Sequence, residues 1–329
     1  MTRPHIGYAA MLEQFHPTEL VGYCARAEQA GFQGVMAADH FQPWVPAQGQ
    51  AAFVWNVLTA IGERTAGDFG PGVTCPSFRF HPAVVAQAAA TIEAMYPGRF
   101  WLGLGSGEAL NEHITGGYWP EAPERLVRMW EAIEIIQKLF SGKDVKHSGR
   151  FFTLETTRLW TMPPQPPPIL VATAGPITAK RTGRQADGII TPGATVEKVA
   201  GIFAKFDEGA REAGKDPATM PKVLQLHLSW APTDEEALAS AMTEWPNGGM
   251  KFPKQDIRSP FDFEQMAKLV RPEDFEGRML ISTDPDAHRA EIQKFLDLGV
   301  TRLYLHNVGR NQDAWIELFG RDVLPKLVV

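Results

Sequence analysis

Three short stretches of this sequence set groups able to move protons or hold anions beside glycine or proline. The densest is Gly98-Arg-Phe-Trp-Leu-Gly-Leu-Gly-Ser-Gly-Glu108-Ala-Leu-Asn111-Glu112. Phe100 to Leu104 alternates apolar residues with glycine, as a buried strand does where another surface comes close. Gly105-Ser106-Gly107 then breaks the strand, and Glu108 to Glu112 has the composition of a helix start. Spacings of three and four residues put Glu108, Asn111 and Glu112 on one side of such a helix. A carboxylate and an amide at that rim suit proton transfer and ligand orientation. The structural alternative is a capped helix whose early acids favour its dipole. A second stretch, Ala38-Asp39-His40-Phe41-Gln42-Pro43-Trp44, offers a carboxylate and an imidazole beside an aromatic wall of Phe41 and Trp44. Histidine as a residue type titrates near neutrality, which suits removal of an alcohol proton during hydride transfer. The plainer use is a hydrogen-bonded histidine next to an N-capping aspartate. The third stretch is Ala172-Thr-Ala174-Gly175-Pro176-Ile177-Thr178. Glycine there permits close backbone approach, and proline at a helix start leaves neighbouring amides for an anion, a phosphate among them. An ordinary strand-to-helix turn has the same pattern.

Positioning these stretches calls for strands that end together. Strand-like and helix-like segments alternate almost throughout. The expected strands are His5–Ala10, Gly34–Ala38, Gly72–Cys75, Phe100–Leu104, Ile169–Thr173, Gly188–Thr191, Lys222–Ser229 and Arg302–Leu305. Helices are expected at Pro17–Ala30, Phe53–Thr65, Pro82–Met95, Ala122–Phe140, Pro176–Arg184, about Glu197–Ala213 and about Gln312–Leu324, with a small hairpin at Val145–Leu154. About eight strand–helix units allow a closed barrel or an open doubly wound sheet. A doubly wound dinucleotide fold carries a glycine fingerprint after its first strand, but the turn here is Met11-Leu12-Glu13-Gln14-Phe15. The expectation is therefore an α/β fold, a (β/α)8 TIM barrel with insertions at its C-terminal, active-site end. One domain over residues 1–329 is expected, with an insertion at roughly 231–278 near the site, since that stretch exceeds what one strand–helix unit needs.

Composition narrows the function classes. The 329 residues carry a net charge of −6 without a Lys/Arg-rich run, so no nucleic-acid partner is expected. Cys24 and Cys75 are the two cysteines. They make no CxxC spacing, which fits neither a disulfide framework nor zinc and suits a reducing cytoplasm. The N-terminal residues contain no apolar signal segment, and no run approaches membrane-spanning length, so a cytoplasmic protein without membrane association is expected. No metal is expected, because no HxxxH or carboxylate–histidine cluster is present. No GxSxG elbow argues for a hydrolase. His81, His227 and His306 are weaker signals.

Asp39-His-Phe-Gln-Pro-Trp44, Gly107-Glu-Ala-Leu-Asn-Glu112 and Ser282-Thr-Asp-Pro-Asp286, taken in order, resemble the luciferase-like superfamily. The likeness is to its branch using the deazaflavin coenzyme F420, around F420-dependent glucose-6-phosphate dehydrogenase, with F420-dependent secondary alcohol dehydrogenases as relatives. It runs from Gly7-Tyr8 to Leu318-Phe319. The resemblance implies F420 at the C-terminal end of the barrel, usually in a homodimer. It implies that Asp39 and Asn111 bind the deazaflavin end, and that Cys75, Ser106 and Gly107 line the ring. Ala174, Gly175, Ile177 and Thr178 would hold the phosphate-bearing tail. The bulge after the third strand, often a non-proline cis peptide in this family, matches Gly72-Val73. The implied reaction passes a hydride from an alcohol carbon to the deazaflavin C5, or reduces a ketone in reverse. His40 would take the hydroxyl proton, Glu108 would serve proton balance at the cofactor, Trp44 would pack beside the reacting carbon, and Glu13 would orient His40 or the substrate.

One departure bears on substrate. Sugar-phosphate enzymes of this group hold the phosphate with a basic cluster, of which Lys254 and Arg278 match two members while the lysine position falls at Thr195. A lost cation of this kind is worth on the order of 1–3 kcal/mol. The substrate expected is a small-molecule alcohol, sugar or sugar phosphate such as glucose 6-phosphate. The alternatives are an FMN-dependent monooxygenase of the same superfamily and a flavin-binding protein without turnover.

Overall fold

Buried apolar strands, each followed by a helix with one apolar face, build the chain. The computed structural model describes residues 4–328. In order they form β1 (His5–Ala10), α1 (Pro17–Gln29), β2 (Gly34–Ala37), α2 (Val54–Arg64), β3 (Asp68–Pro71), α3 (Pro82–Met95), β4 (Leu102–Leu104), α4 (Ala109–Glu112) and α5 (Ala122–Leu139). A hairpin of β5 (Val145–Ser148) and β6 (Thr153–Thr157) precedes β7 (Ile169–Ala172), α6 (Pro176–Gln185), β8 (Gly188–Pro192) and α7 (Val196–Glu212). The last part holds β9 (Lys222–Ser229), α8 (Asp234–Glu244), α9 (Pro260–Ala267), β10 (Leu280–Ile281), α10 (Pro285–Leu296), β11 (Arg302–Asn307) and α11 (Gln312–Leu318).

All pairings in the main sheet are parallel, in the order β3-β2-β1-β11-β9-β8-β7-β4. Bridges Phe69–Phe100 and Thr74–Leu104 join β3 to β4 and close the ring into a (β/α)8 barrel. Ala9, Met36, Trp101, Leu170, Ile190, Val223 and Tyr304 fill its interior, so the barrel is a packed core rather than a channel. The outward faces of the strands join the inner faces of the helices in a second, larger apolar cluster. At the N-terminal end, Asp68 binds His5 (2.9 Å), Arg302 (3.0 Å) and the Tyr304 hydroxyl, a network fit for stability.

Two expectations need correction. The third strand is Asp68–Pro71, not Gly72–Cys75. Asp-Phe-Gly-Pro reads locally as a turn, and tertiary pairing with β2 overrides it. Residues 72–75 are instead a bulge: the Gly72 amide bonds Ala37, Thr74 rejoins Gly103, and the Gly72-Val73 peptide is cis. The second correction adds β10, which pairs with the end of β9, and α10 behind it. Between β9 and β10 the chain makes a long excursion through α8 and α9 at the C-terminal end. Among the described residues, no helix is long and apolar enough to cross a membrane.

Candidate active site

Every sequence-selected side chain lies just past the C-terminal end of a barrel strand or on the excursion above it. Asp39, His40 and Trp44 follow β2, and Gly72, Val73 and Cys75 follow β3. Ser106, Gly107, Glu108 and Asn111 follow β4, and Glu13 follows β1. The centre is an imidazole between two carboxylates. His40 Nδ1 lies 3.4 Å from Glu13 Oε1, and Nε2 lies 3.9 Å from Glu108 Oε2. The Gln42 carbonyl also faces Nδ1 at 3.2 Å. Glu13 is sealed in, at 1% exposure, and among the described residues neither of its oxygens has a hydrogen-bond donor. An unpartnered buried carboxylate is costly, so this one is held for a cation or a protic ligand.

Glu108 keeps 30% of its side-chain surface exposed and is otherwise enclosed by protein. Burial pushes its carboxyl above the ordinary range; His40 and Lys254 oppose that shift and Glu13 adds to it. Trp44 packs its ring 5.1 Å from that of His40 and stands on edge to Phe263 and Trp245, so the aromatic wall is rigid. Phe41, expected in that wall, is instead 54% exposed.

The shared helix face expected for Glu108, Asn111 and Glu112 does not form. Glu108 is the extended N-cap residue, and α4 is a single turn. Asn111 Oδ1 turns to the β2 loop and accepts from the amides of Phe41 (2.9 Å) and Gln42 (3.2 Å). Glu112 instead meets Arg79, which the sequence reading missed. Arg79 Nε donates to Glu112 Oε1 at 2.9 Å, and its Nη2 donates to Asp39 Oδ1 at 3.0 Å. Thr74 fills the other oxygen of Asp39 at 2.7 Å. Asp39 is thus fully engaged in tying the β2 loop to the β3 bulge. An arginine between two phenylalanines just after Cys75-Pro76 was the signal available. The thiol of Cys75 lies 3.4 Å from Ser77 Oγ and is pushed well up by burial. It also backs Gly107, whose φ is +82° and whose added Cβ would sit 2.7 Å from that sulfur.

Across the barrel mouth, Gly175 is the N-cap of α6, and no side chain caps that end. Ala174 and Ile177 are exposed, and Thr178 is half-buried. A Cβ on Gly175 would meet no atom within 4 Å, so there is open space beside this helix start. Such a helix start suits an anion. On the third side, Thr195 is the N-cap of α7 and its hydroxyl accepts from the Lys198 amide at 3.4 Å. Lys254 donates to the Asn247 carbonyl at 2.6 Å and Arg278 to that of Met250 at 3.2 Å. Burial pulls the Lys254 amine below its ordinary range; Glu108 opposes this and Arg278 reinforces it. Lys254 therefore joins the carboxylate side of the pocket to the cationic side. That coupling was not legible in a segment without periodicity.

Comparison with known proteins finds this geometry in F420-dependent barrels. A family model described as luciferase-like monooxygenase matches residues 1–302. An F420-dependent glucose-6-phosphate dehydrogenase of Microbacterium testaceum is 36% identical, covering 99% of this chain and 98% of the relative. One from Rhodococcus erythropolis is 37% identical, covering 98% and 97%. The solved structure of an F420-dependent secondary alcohol dehydrogenase with an F420–acetone adduct superposes over 100% of both chains, with TM-score 0.94 and 32% identity. The coenzyme F420-dependent tetrahydromethanopterin reductase of Methanopyrus kandleri shares the fold at TM-score 0.82 and 23% identity, covering 99% of this chain and 100% of that one.

Proposed function

The chain belongs to the luciferase-like monooxygenase family, and from that premise we propose that the Glu13–His40–Glu108 array oxidises the carbinol of an alcohol or sugar. The protein is an F420-dependent oxidoreductase acting on CH–OH donors, like the relatives just described. When bound, F420 supplies a ring carbon that accepts or returns a hydride.

The residues fit such a group. Open space at Gly175 and the uncapped start of α6 suit its anionic tail, with Ala174, Ile177 and Thr178 beside it. Gly72, Val73, Cys75, Ser106 and Gly107 present small or backbone surface to a flat ring, while Asp39 and Asn111 hold the loops that shape its far end.

His40 takes the hydroxyl proton. The observation that carries this role is the Glu13 carboxylate, buried, without another partner and 3.4 Å from Nδ1. The Gln42 carbonyl holds the ring at Nδ1, and the Glu13 carboxylate beside it would balance the charge that proton uptake creates. Glu108, on the Nε2 side, holds or releases a proton next to the reacting centre. Trp44 excludes water from one face. Lys254 and Arg278 offer the substrate two cationic donors, and Thr195 leaves a neutral gap where a third would stand. The homodimer that the resemblance implies is tested by light scattering.

The test is deazaflavin absorbance on mixing the protein with oxidised F420 and, in parallel, isopropanol, glucose or glucose 6-phosphate. Bleaching with any of them is expected. Tight F420 binding with neither bleaching by these donors nor F420 formation from reduced F420 and the corresponding ketones would overturn the assignment.

A further inference from the structure

The substrate class can be narrowed from a chain of hydrogen bonds leading into the site, an argument that rests on the function just proposed. Gln14 Nε2 donates to the Val308 carbonyl at 2.9 Å and to Glu244 Oε2 at 3.2 Å. Glu244 is ion-paired with Arg310 at 2.7 Å. Both partners of Nε2 are acceptors, so the amide has one orientation and its Oε1 faces His306 Nε2, 3.2 Å away. His306 must then carry its proton on Nε2. Burial drives His306 well below its ordinary pKa, so it is neutral and its Nδ1 bears a lone pair. That Nδ1 lies 2.8 Å from Nδ1 of His227, so the shared proton belongs to His227. Burial and Lys254 hold His227 down to about 3, which makes it neutral as well. A neutral imidazole protonated on Nδ1 has a bare Nε2.

Trp245 clamps both rings, with centroids 4.7 Å from His227 and 4.8 Å from His306. Among the described residues, His227 Nε2 makes no hydrogen bond. His227 borders a cavity of about 760 Å³ that Leu226, Met279 and Phe295 also bound; Glu13, His40, Glu108 and Lys254 do not line it, and Thr195 and Arg278 are what it shares with the candidate site. The cavity opens where β9 changes neighbours: β8 runs beside it as far as Gln225, and β10 begins opposite Leu228. Leu226 and His227 lie between, at the window.

We infer that His227 is a specificity-determining residue whose Nε2 accepts a hydrogen bond from a substrate hydroxyl other than the one oxidised, making the donor a sugar or polyol, free or phosphorylated. Lys254 and Arg278 donate, and His227 accepts. A simple secondary alcohol satisfies none of this, whereas a polyhydroxylated chain offers acceptors and protic groups together.

The experiment compares wild type with His227→Asn and His227→Gln in F420 reduction. Asparagine keeps a donor at the δ position for His306 but removes the acceptor; glutamine restores an acceptor at the ε position. We expect His227→Asn to raise KM for glucose, glucose 6-phosphate or sorbitol by ~10–100-fold, with isopropanol kinetics unchanged. His227→Gln should recover most of that loss. The reverse order, an equal loss on isopropanol, or wild-type turnover of isopropanol with none of the three polyols would overturn the inference while the proposed function stands. Nitrogen NMR on histidine-labelled protein with F420 bound supplies a readout independent of turnover. A protonated Nε2 on His227, or an Nε2 signal unmoved by glucose, overturns the inference. A bare Nε2 displaced by glucose supports it, even if no alcohol bleaches F420 and the proposed function fails.

Discussion

Replacing Arg79 by methionine keeps much of its volume but removes the cation between Asp39 and Glu112. The side chains of all three are buried, at 6%, 1% and 2% exposure. Leaving buried carboxylates uncompensated costs about 3–5 kcal/mol. A chain of 329 residues has an unfolding entropy of about 0.7 kcal/mol/K, so the loss should lower Tm by about 4–7 °C near neutral pH. The pH dependence supplies a sharper check. Burial already holds the Glu112 carboxyl above the ordinary range, with Arg79 opposing. A raised folded pKa contributes stability that is present below the unfolded value and lost as pH rises through the folded one. Removing Arg79 raises Glu112 further, so the deficit of Arg79→Met should be largest near neutrality and shrink on acidification. Calorimetry from about pH 7.5 down to about pH 5 reads both effects. Arg79→Lys should fall between the two, because an ammonium cannot fork to both acids. A variant melting within about 1 °C of wild type, or a deficit that grows with acid, would refute the reasoning.

His40→Ala should retain F420 binding, measured by quenching of deazaflavin fluorescence, and lose on the order of 10²–10⁴ in kcat; unchanged turnover would remove His40 from proton transfer. Lys254→Met removes a charge that lowers the Glu108 pKa, so the basic limb of kcat/KM, where Glu108 would lose the proton it has to supply, should move to higher pH; a stationary limb would dissociate Glu108 from that step. Thr195→Lys should raise kcat/KM for glucose 6-phosphate relative to glucose, at a cost of about 1 kcal/mol for the lost helix cap. A ratio that does not change would show that this position does not face the phosphate.

Strands with continuous apolar runs were legible from sequence, and β1 and β9 match their expected spans residue for residue. β3 was not, because Asp-Phe-Gly-Pro has turn chemistry and becomes a strand only through β2. The alternation of strands and helices implied that His40, Glu108 and Gly175 would converge on one rim. What failed was side-chain direction: one turn of helix cannot hold Glu108, Asn111 and Glu112 on a common face when Glu108 is its N-cap. Arg79 and the pairing of His227 with His306 stayed hidden because their partners lie far away in sequence, at separations of 33 and 79 residues.

The excursion above the site leaves β9 at Trp230 and returns as β10, whose two residues pair with Leu228 and Ser229. Its entrance and exit therefore sit side by side, stitched by a ladder outside the closed ring of eight strands. It is a cassette. Lys254 and Arg278 both belong to it, whereas His40, Glu13 and Glu108 belong to the ring. Exchanging the cassette between relatives should transplant the cationic part of donor recognition while His227, Thr195 and the proton-handling groups stay in place, a separation by which one scaffold can diversify its substrates without re-solving its chemistry.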